Sequence, residues 1–397
     1  MLGNLYLNGN LTLRLDFESR SKKLAATLQT QGIGQGDTVA VLMRNDVKYL
    51  EVCRYIGSYF VPLNWHSVAT EIEHIIEDSG AKVLIAHKDL AHQLNEKNLP
   101  KVLLTTFPTP PEVAESYQID VNARSSASDI ALDLELALQA AVQIDTQPKP
   151  FKGMFAYTSG STGRPKGIKR RAQDGDTDKY IVYQGLSRSL MQLTKNDRFY
   201  LAAPIYHSAP NTLTLCSLAA SDVDIYISTK FDPEHFLAAI DKYNITHIYI
   251  VPTMMIRLLK LPQTIREQYN LGSLKYALST GSPCPADIKK AMIEWFGPIF
   301  YESYGASEIG FMTLISSSEA LEKPGSVGKV VAGGAIKILN ENKQELGTQQ
   351  SGLIYVDLPM FGKFDYTNFD GDSSEYTYQN YISVGDIGFL DEEGYLF

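Results

Sequence analysis

Three short stretches of this 397-residue chain combine residue types that could handle a nucleotide. The first, residues 157–169, reads Y-T-S-G-S-T-G-R-P-K-G-I-K and follows a strand-like apolar run. Glycines admit backbone angles closed to other residues and let a ligand approach the chain, so the amides and hydroxyls crowded there can surround phosphate oxygens. Lys166 adds a mobile positive charge. The spacing is not the G-x-x-x-x-G-K-[ST] of the common nucleotide loop. A bare Ser/Gly run reads as a surface loop, but the ten-residue string T-S-G-S-T-G-R-P-K-G favours phosphate binding. The second stretch, residues 301–310, reads Y-E-S-Y-G-A-S-E-I-G. Tyr304 offers a flat face to a base, and Gly305 and Ala306 leave space beside it. Ser307 offers a hydroxyl to a phosphate and Glu308 a hard oxygen to Mg²⁺. Taken alone it also reads as a helix start with Ser307 near the cap. In the third, residues 383–397, Asp386 could accept both hydroxyls of a ribose, or be a simple turn residue.

These stretches need elements that hold them. Short β-branched or aromatic runs at 39–43, 82–86, 102–105, 154–158, 198–203, 223–228, 247–251, 274–279 and 299–304 read as strands. Helical periodicity is read between several of them, at 49–60, 70–79, 234–243, 253–260 and 285–296. That alternation predicts an α/β protein with parallel sheets and right-handed crossovers. Residues 108–150, rich in Pro, Ser, Ala and acidic groups, read as a boundary. After about residue 323 the pattern becomes antiparallel, with strands at 335–339 and 352–357. The expected division is 1–150, 151–325 and 326–397, the last a small distorted β-barrel.

Composition narrows the classes. The charge is −9, from 36 basic and 45 acidic side chains, which argues against binding nucleic acid or an anionic membrane. No apolar run is long enough for a membrane span, and residues 1–10 lack the features of a secretory signal. Cys53, Cys216 and Cys284 are odd in number and lack metal spacing, which fits a reducing, cytoplasmic setting. His74 and His247 read as structural. His74 with Glu71 is half a metal site without a second half. The basic run 169–171, followed by acidic Asp174, Asp176 and Asp178, reads as a solvated loop.

Taken in order, the three strings resemble the adenylate-forming superfamily, which includes acyl-CoA synthetases, aryl-CoA ligases, luciferases and peptide-synthetase adenylation domains. Supporting strings are G-I-G-Q-G-D-T-V-A-V-L from Gly32, D-S-G-A-K-V-L-I from Asp78, A-A-P-I-Y-H-S-A-P from Ala202 and S-T-G-S-P-C-P from Ser279. The resemblance implies that a carboxylate attacks the α-phosphate of ATP, releasing pyrophosphate and leaving an acyl-adenylate. A thiol, often coenzyme A, then takes the acyl group. Such chemistry needs charge neutralised around phosphorus more than a protein nucleophile. By this resemblance Thr158, Ser159, Gly160, Ser161, Thr162, Gly163 and Lys166 hold the β- and γ-phosphates. Ser307, standing where relatives usually carry Thr, contacts the α-phosphate, and Glu308 holds Mg²⁺. Gly281, Ser282 and Pro283 lie along adenine with Tyr304, backbone near Glu302 and Ser303 reads its edge, and Asp386 binds the ribose. His207 stands between acid and α-phosphate. Asn211, Thr280, Gly281, Gly305, Ala306 and Gly310 line the acid pocket.

Small residues and no evident charge for a substrate amine favour a fatty, aryl or alicyclic acid over an amino acid. Two departures accompany the resemblance. The chain stops about where a hinge and a mobile C-terminal domain would follow, so the expectation is a fragment that adenylates slowly and does not complete thioester formation. Residues 360–368, M-F-G-K-F-D-Y-T-N, replace the usual G-Y-x-N string and look more like a bile-acid ligase branch. The acceptor is coenzyme A, or alternatively the thiol of a carrier protein; a silent nucleotide-binding protein is the third alternative. A homodimer is an open possibility.

Overall fold

Runs of Val, Ile, Leu and Ala that are apolar at every position need cover on both faces, as in a parallel sheet. In the computed structural model of the chain, every strand expected from such runs is present. The structure describes residues 2–92, 94, 99, 102–120, 131–140, 149, 151–158, 165–170, 179–359, 364–367 and 376–397, without the side chains of Thr158, Arg170 and Asp365. Two compact units form, Met1–Phe231 with Asp365–Asn368, and Asp232–Phe364 with Phe369–Phe397. Their junction falls inside the 151–325 segment.

The first unit opens on the hairpin β1 (Leu5–Leu7) and β2 (Asn10–Thr12). Its larger sheet holds β3 (Thr38–Leu42), β4 (Tyr59–Pro62), β5 (Val83–His87), β6 (Leu103–Phe107), β7 (Leu132–Asp133), β8 (Gly153–Thr158) and β9 (Lys166–Arg170). They lie in the order β9-β8-β4-β3-β5-β6-β7, parallel except for the β8–β9 hairpin. Two further strands, β10 (Arg198–Leu201) and β11 (Asp224–Ile227), run parallel, and β1 joins β11 with Leu5 opposite Ile225. All of β3 and β5 is buried. The helix Ala69–Ser79 lays Ile72, Ile75 and Ile76 on Ala40, Val61, Leu84 and Phe155. Asn45, itself buried, donates to the carbonyls of Ala203 and Ser228 and accepts from the Ile205 amide, stitching the two sheets of this unit.

One expectation is corrected here. Residues 49–60 are not a single helix: the helix Val47–Val52 ends at Cys53, Gly57 turns the chain at φ 76°, and β4 begins at Tyr59. The four apolar residues of β4 mimic a continuing helical stripe when read without that turn.

In the second unit β12 (His247–Ile250), β13 (Tyr276–Ser279) and β14 (Phe300–Glu302) are parallel. The helices Pro252–Leu259 and Ala286–Phe296 are their crossovers. A small hairpin follows, β15 (Gly305–Ala306) with β16 (Gly310–Phe311), and then β17 (Thr313–Ser316) and β18 (Lys329–Val330) extend the sheet antiparallel. The expected antiparallel region contains β19 (Ala335–Leu339) and β20 (Gly352–Asp357), paired from Ala335–Asp357 to Leu339–Leu353. β21 (Phe364–Tyr366) flanks β9 through the segment that belongs to the first unit. β22 (Thr377–Tyr378) and β23 (Tyr381–Gly388) complete a four-stranded open sheet in the order β19-β20-β23-β22, with a register shift between Leu353 and Tyr355. This open, irregular sheet is the form the small β region takes. Among the described residues no helix is long and apolar enough to cross a membrane.

Candidate active site

Loops leaving the carboxyl ends of parallel strands are where α/β sheets bind ligands, because the crossovers leave that edge open. In the first unit β8 ends on Thr158 and the chain re-enters as β9 at Lys166, with Thr158 opposite Lys166. Ser159, Gly160, Ser161, Thr162 and Gly163 lie outside the described residues. The stems of this loop are tied down tightly. Tyr157 donates its hydroxyl to Asp78 Oδ2 at 2.6 Å, and Thr367 donates Oγ1 to the same oxygen at 2.5 Å. Thr367 also exchanges bonds with Gly167, accepting its amide at 3.2 Å and donating its own to the Gly167 carbonyl at 2.9 Å. A Cβ on Gly167 would lie 2.5 Å from Thr367 Oγ1 and under 3 Å from Phe155 and Tyr157, so only glycine fits.

His207 caps the helix Ser208–Ala219 without a side-chain hydrogen bond to it, and its ring reaches solvent. An aromatic group surrounds it: the Tyr206 ring is 4.3 Å away, Trp65 meets Tyr206 edge-on at 5.6 Å, and His66 packs on Trp65 at 3.7 Å. The crowded surroundings, and next the nearby His66, lower the His207 pKa, which favours a neutral imidazole. Asn211, one turn further along, is fully buried. Its amide nitrogen donates to Tyr49 Oη at 2.7 Å and to the Ile205 carbonyl at 3.2 Å, while its Oδ1 has no hydrogen-bond partner among the described residues.

In the second unit β13 delivers buried Ser279 and Thr280, then exposed Gly281, Ser282 and Pro283. Tyr249 donates to the Thr280 carbonyl at 3.4 Å. On the adjacent β14, Glu302 is buried and ion-paired with Lys289 of the helix Ala286–Phe296, and the Ser303 amide donates to the Ser279 carbonyl at 2.9 Å. Tyr304 donates its hydroxyl to Asp386 Oδ2 at 2.5 Å across 82 residues of sequence. Burial, with Asp386 beside it, raises the Tyr304 pKa, so the phenol keeps its proton and donates. Gly305 and Ala306 pair with Phe311 and Gly310, and Ser307 and Glu308 occupy the turn between them, so the alternative of a helix start is set aside.

The second unit thus gathers the 281–283 loop, Glu302 to Glu308, Gly310 and Asp386; the first carries Lys166, His207 and Asn211. His247 is buried and bonded to Thr246 at 2.8 Å, in keeping with a structural part. Among the described residues there is no group of three or more His, Cys, Asp or Glu that could hold a metal. Asp78, Thr367 and Lys289 were not singled out from the sequence. Asp78 had a signal: an acidic residue in the last turn of a helix opposes the helix dipole and needs another reason to be there.

The Tyr304–Asp386 hydrogen bond and the Ser307–Glu308 turn stand where the sequence strings place a nucleotide site, and comparison with known proteins gives the class, an ATP-dependent adenylate-forming enzyme. The chain belongs to the AMP-binding enzyme family, whose sequence profile matches residues 11–363. It is 26% identical over 385 residues to a feruloyl-CoA synthase of Amycolatopsis, covering 96% of this chain and 71% of that protein. It is 26% identical to 2-succinylbenzoate–CoA ligase of Bacillus subtilis, covering 95% and 70%. The fold is shared with o-succinylbenzoate CoA synthetase of Bacillus subtilis solved with an acyl-adenylate intermediate, at a TM-score of 0.78 and 23% identity over 100% of this chain and 74% of that one. It is shared equally with an amide bond synthetase of Marinactinospora thermotolerans, at a TM-score of 0.81 and 21% identity over 100% and 76%. The chain is therefore an acid–thiol ligase by class: it activates a carboxylic acid with ATP to an acyl-adenylate, for transfer to coenzyme A.

Proposed function

We propose that the acid has an apolar, aryl-type body, and that the residues described above divide its activation among them. Relatives that act on ferulate and succinylbenzoate support the aryl reading. The observation that carries the residue roles is the Tyr304–Asp386 hydrogen bond, which sets a flat ring and a free carboxylate oxygen beside the Ser307–Glu308 turn. Tyr304 with Gly281, Ser282 and Pro283 holds adenine, backbone at Glu302 and Ser303 reads its edge, and Asp386 takes the ribose hydroxyls. Ser307 donates to the α-phosphate. Lys166 and the Thr158, Ser159, Gly160, Ser161, Thr162 and Gly163 loop hold the β- and γ-phosphates and offset the charge that builds on departing pyrophosphate. A single carboxylate, with substrate phosphate oxygens and water, suits Mg²⁺, so Glu308 is its protein ligand.

His207, held neutral, orients the attacking carboxylate without repaying it in charge. Thr280, Gly281, Gly305, Ala306 and Gly310 of the second unit take the body of the acid. We place the enzyme in the cytoplasm, where coenzyme A and the free thiols Cys53, Cys216 and Cys284 are compatible. The test is ATP–pyrophosphate exchange across aryl, fatty, alicyclic and amino acids, followed by acyl transfer to coenzyme A or to a carrier-protein thiol. Exchange strongest with aryl acids and transfer to coenzyme A are expected; exchange with amino acids alone overturns the reading.

A further inference from the structure

Residues 364–367 fall within the 360–368 string that the sequence reading set apart, and nothing in the roles above uses them. Their partners give them one. Asp78 sits in the last turn of the helix Ala69–Ser79, a turn with no basic residue of its own, where the helix dipole disfavours an anion. What it gains there is two short hydroxyl bonds to a single carboxylate oxygen, from Tyr157 at 2.6 Å and Thr367 at 2.5 Å. Bonds to a charged acceptor are the strong ones. Tyr157 immediately precedes Thr158, and Thr367 clasps Gly167, which immediately follows Lys166. Both stems of the loop therefore hang from one atom. The raised pKa of Tyr157, from burial and then from Asp78, keeps its proton available for that bond.

We propose that Asp78 is a positioning residue for nucleotide phosphates, holding the Tyr157 and Gly167 stems in fixed register through the Tyr157 and Thr367 hydroxyls. The inference rests on the proposed role of Lys166 and its loop toward the β- and γ-phosphates. It makes Thr367 the second anchor of that loop.

The experiment compares Asp78→Asn, Tyr157→Phe, Thr367→Val and the double variant Asp78→Asn/Tyr157→Phe in the full chain. The Km for ATP and for pyrophosphate in exchange, the affinity for AMP and the melting temperature are measured for each. AMP lacks the β- and γ-phosphates, so it reports the rest of the nucleotide site. Expected for Asp78→Asn is a rise of about tenfold in Km for both ATP and pyrophosphate with AMP affinity within about twofold, the size of one charged hydrogen bond. The double variant should be no worse than Asp78→Asn alone, since the two share one interaction. A fall in melting temperature with unchanged Km, or equal losses for ATP and AMP, overturns the proposal. Lys166→Ala is the control for the reading beneath it: if that variant leaves the Km for ATP and pyrophosphate unchanged, the phosphate role of the loop fails, whatever Asp78 does.

Discussion

In the proposed roles, one hydrogen bond joins the residue that faces the base to the one that takes the ribose. The Tyr304 phenol donates to one oxygen of Asp386 at 2.5 Å, and the proposal gives the other oxygen to the ribose. Tyr304→Phe keeps the flat face and removes only the bond, so the Km for ATP should rise about tenfold, the low end for a bond to a charged group at an exposed position. Asp386→Ala should cost more, because both ribose contacts go with it; steady-state kinetics on the two variants checks the order. His207 gives a pH signature. Its folded-state pKa lies below the ordinary histidine value of about 6.5. The unfolded chain then takes up a proton first as pH falls, so this residue contributes nothing above about pH 6.5 and lowers stability progressively below it. His207→Asn should flatten that part of the stability–pH curve. His66 is the second cause of the shift, so His66→Asn should move the His207 titration upward, read by NMR of the imidazole protons; an unchanged titration sinks the coupling. His207→Ala should lower kcat/Km for the acid about 10²-fold if positioning is its task.

At the scale of elements, the β15–β16 hairpin is the critical piece. Gly305 faces the Gly310 carbonyl so closely that a Cβ would lie 2.2 Å from its oxygen. A backbone oxygen cannot swing aside as a side chain can. Gly305→Ala should therefore destabilise by about 1–3 kcal/mol through forced backbone movement, and it should also weaken AMP binding, because Tyr304 and Ser307 flank the moved residue. Denaturant midpoints and calorimetric titration check both effects, and a normal midpoint would show that the hairpin can open without cost. Elements were legible where burial made the pattern strong: β3, β5, β12 and β13 are buried along their whole length, mostly by apolar side chains, and stand close to their sequence-read positions. The helix Arg14–Thr30 was missed because its buried stripe runs Phe17, Ser21, Leu24, Leu28; the serine, which bonds the Phe17 carbonyl at 2.8 Å, breaks the apolar period. The family was readable because its strings at 157–169, 301–310 and 383–397 are runs of contiguous residues. Asp78 and Thr367 are 289 positions apart, and only a folded chain puts them on one oxygen.

For the whole molecule, a net charge of −9 disfavours general attraction of polyanions, so ATP must be held by local donors rather than by the overall field. Binding should then be read through specific linkage. A ligand that binds only the folded state adds about 1.4 kcal/mol of stability for each tenfold rise in concentration above its Kd. Unfolding entropy near 2.1 cal/mol/K per residue amounts to about 0.8 kcal/mol/K for one transition of a chain this long, which converts that gain to roughly 1.7 °C per decade. The slope is thus set by the size of the unfolding unit, and the concentration at which it begins is set by affinity. An aryl-acyl sulfamoyl-adenosine, a stable mimic of the adenylate, should begin to shift the melting temperature at lower concentration than its fatty-acyl counterpart, and an aminoacyl analogue should begin last. The reverse order would reject the aryl-acid assignment, because an ammonium stripped of water needs a charged partner, and an aryl pocket supplies none.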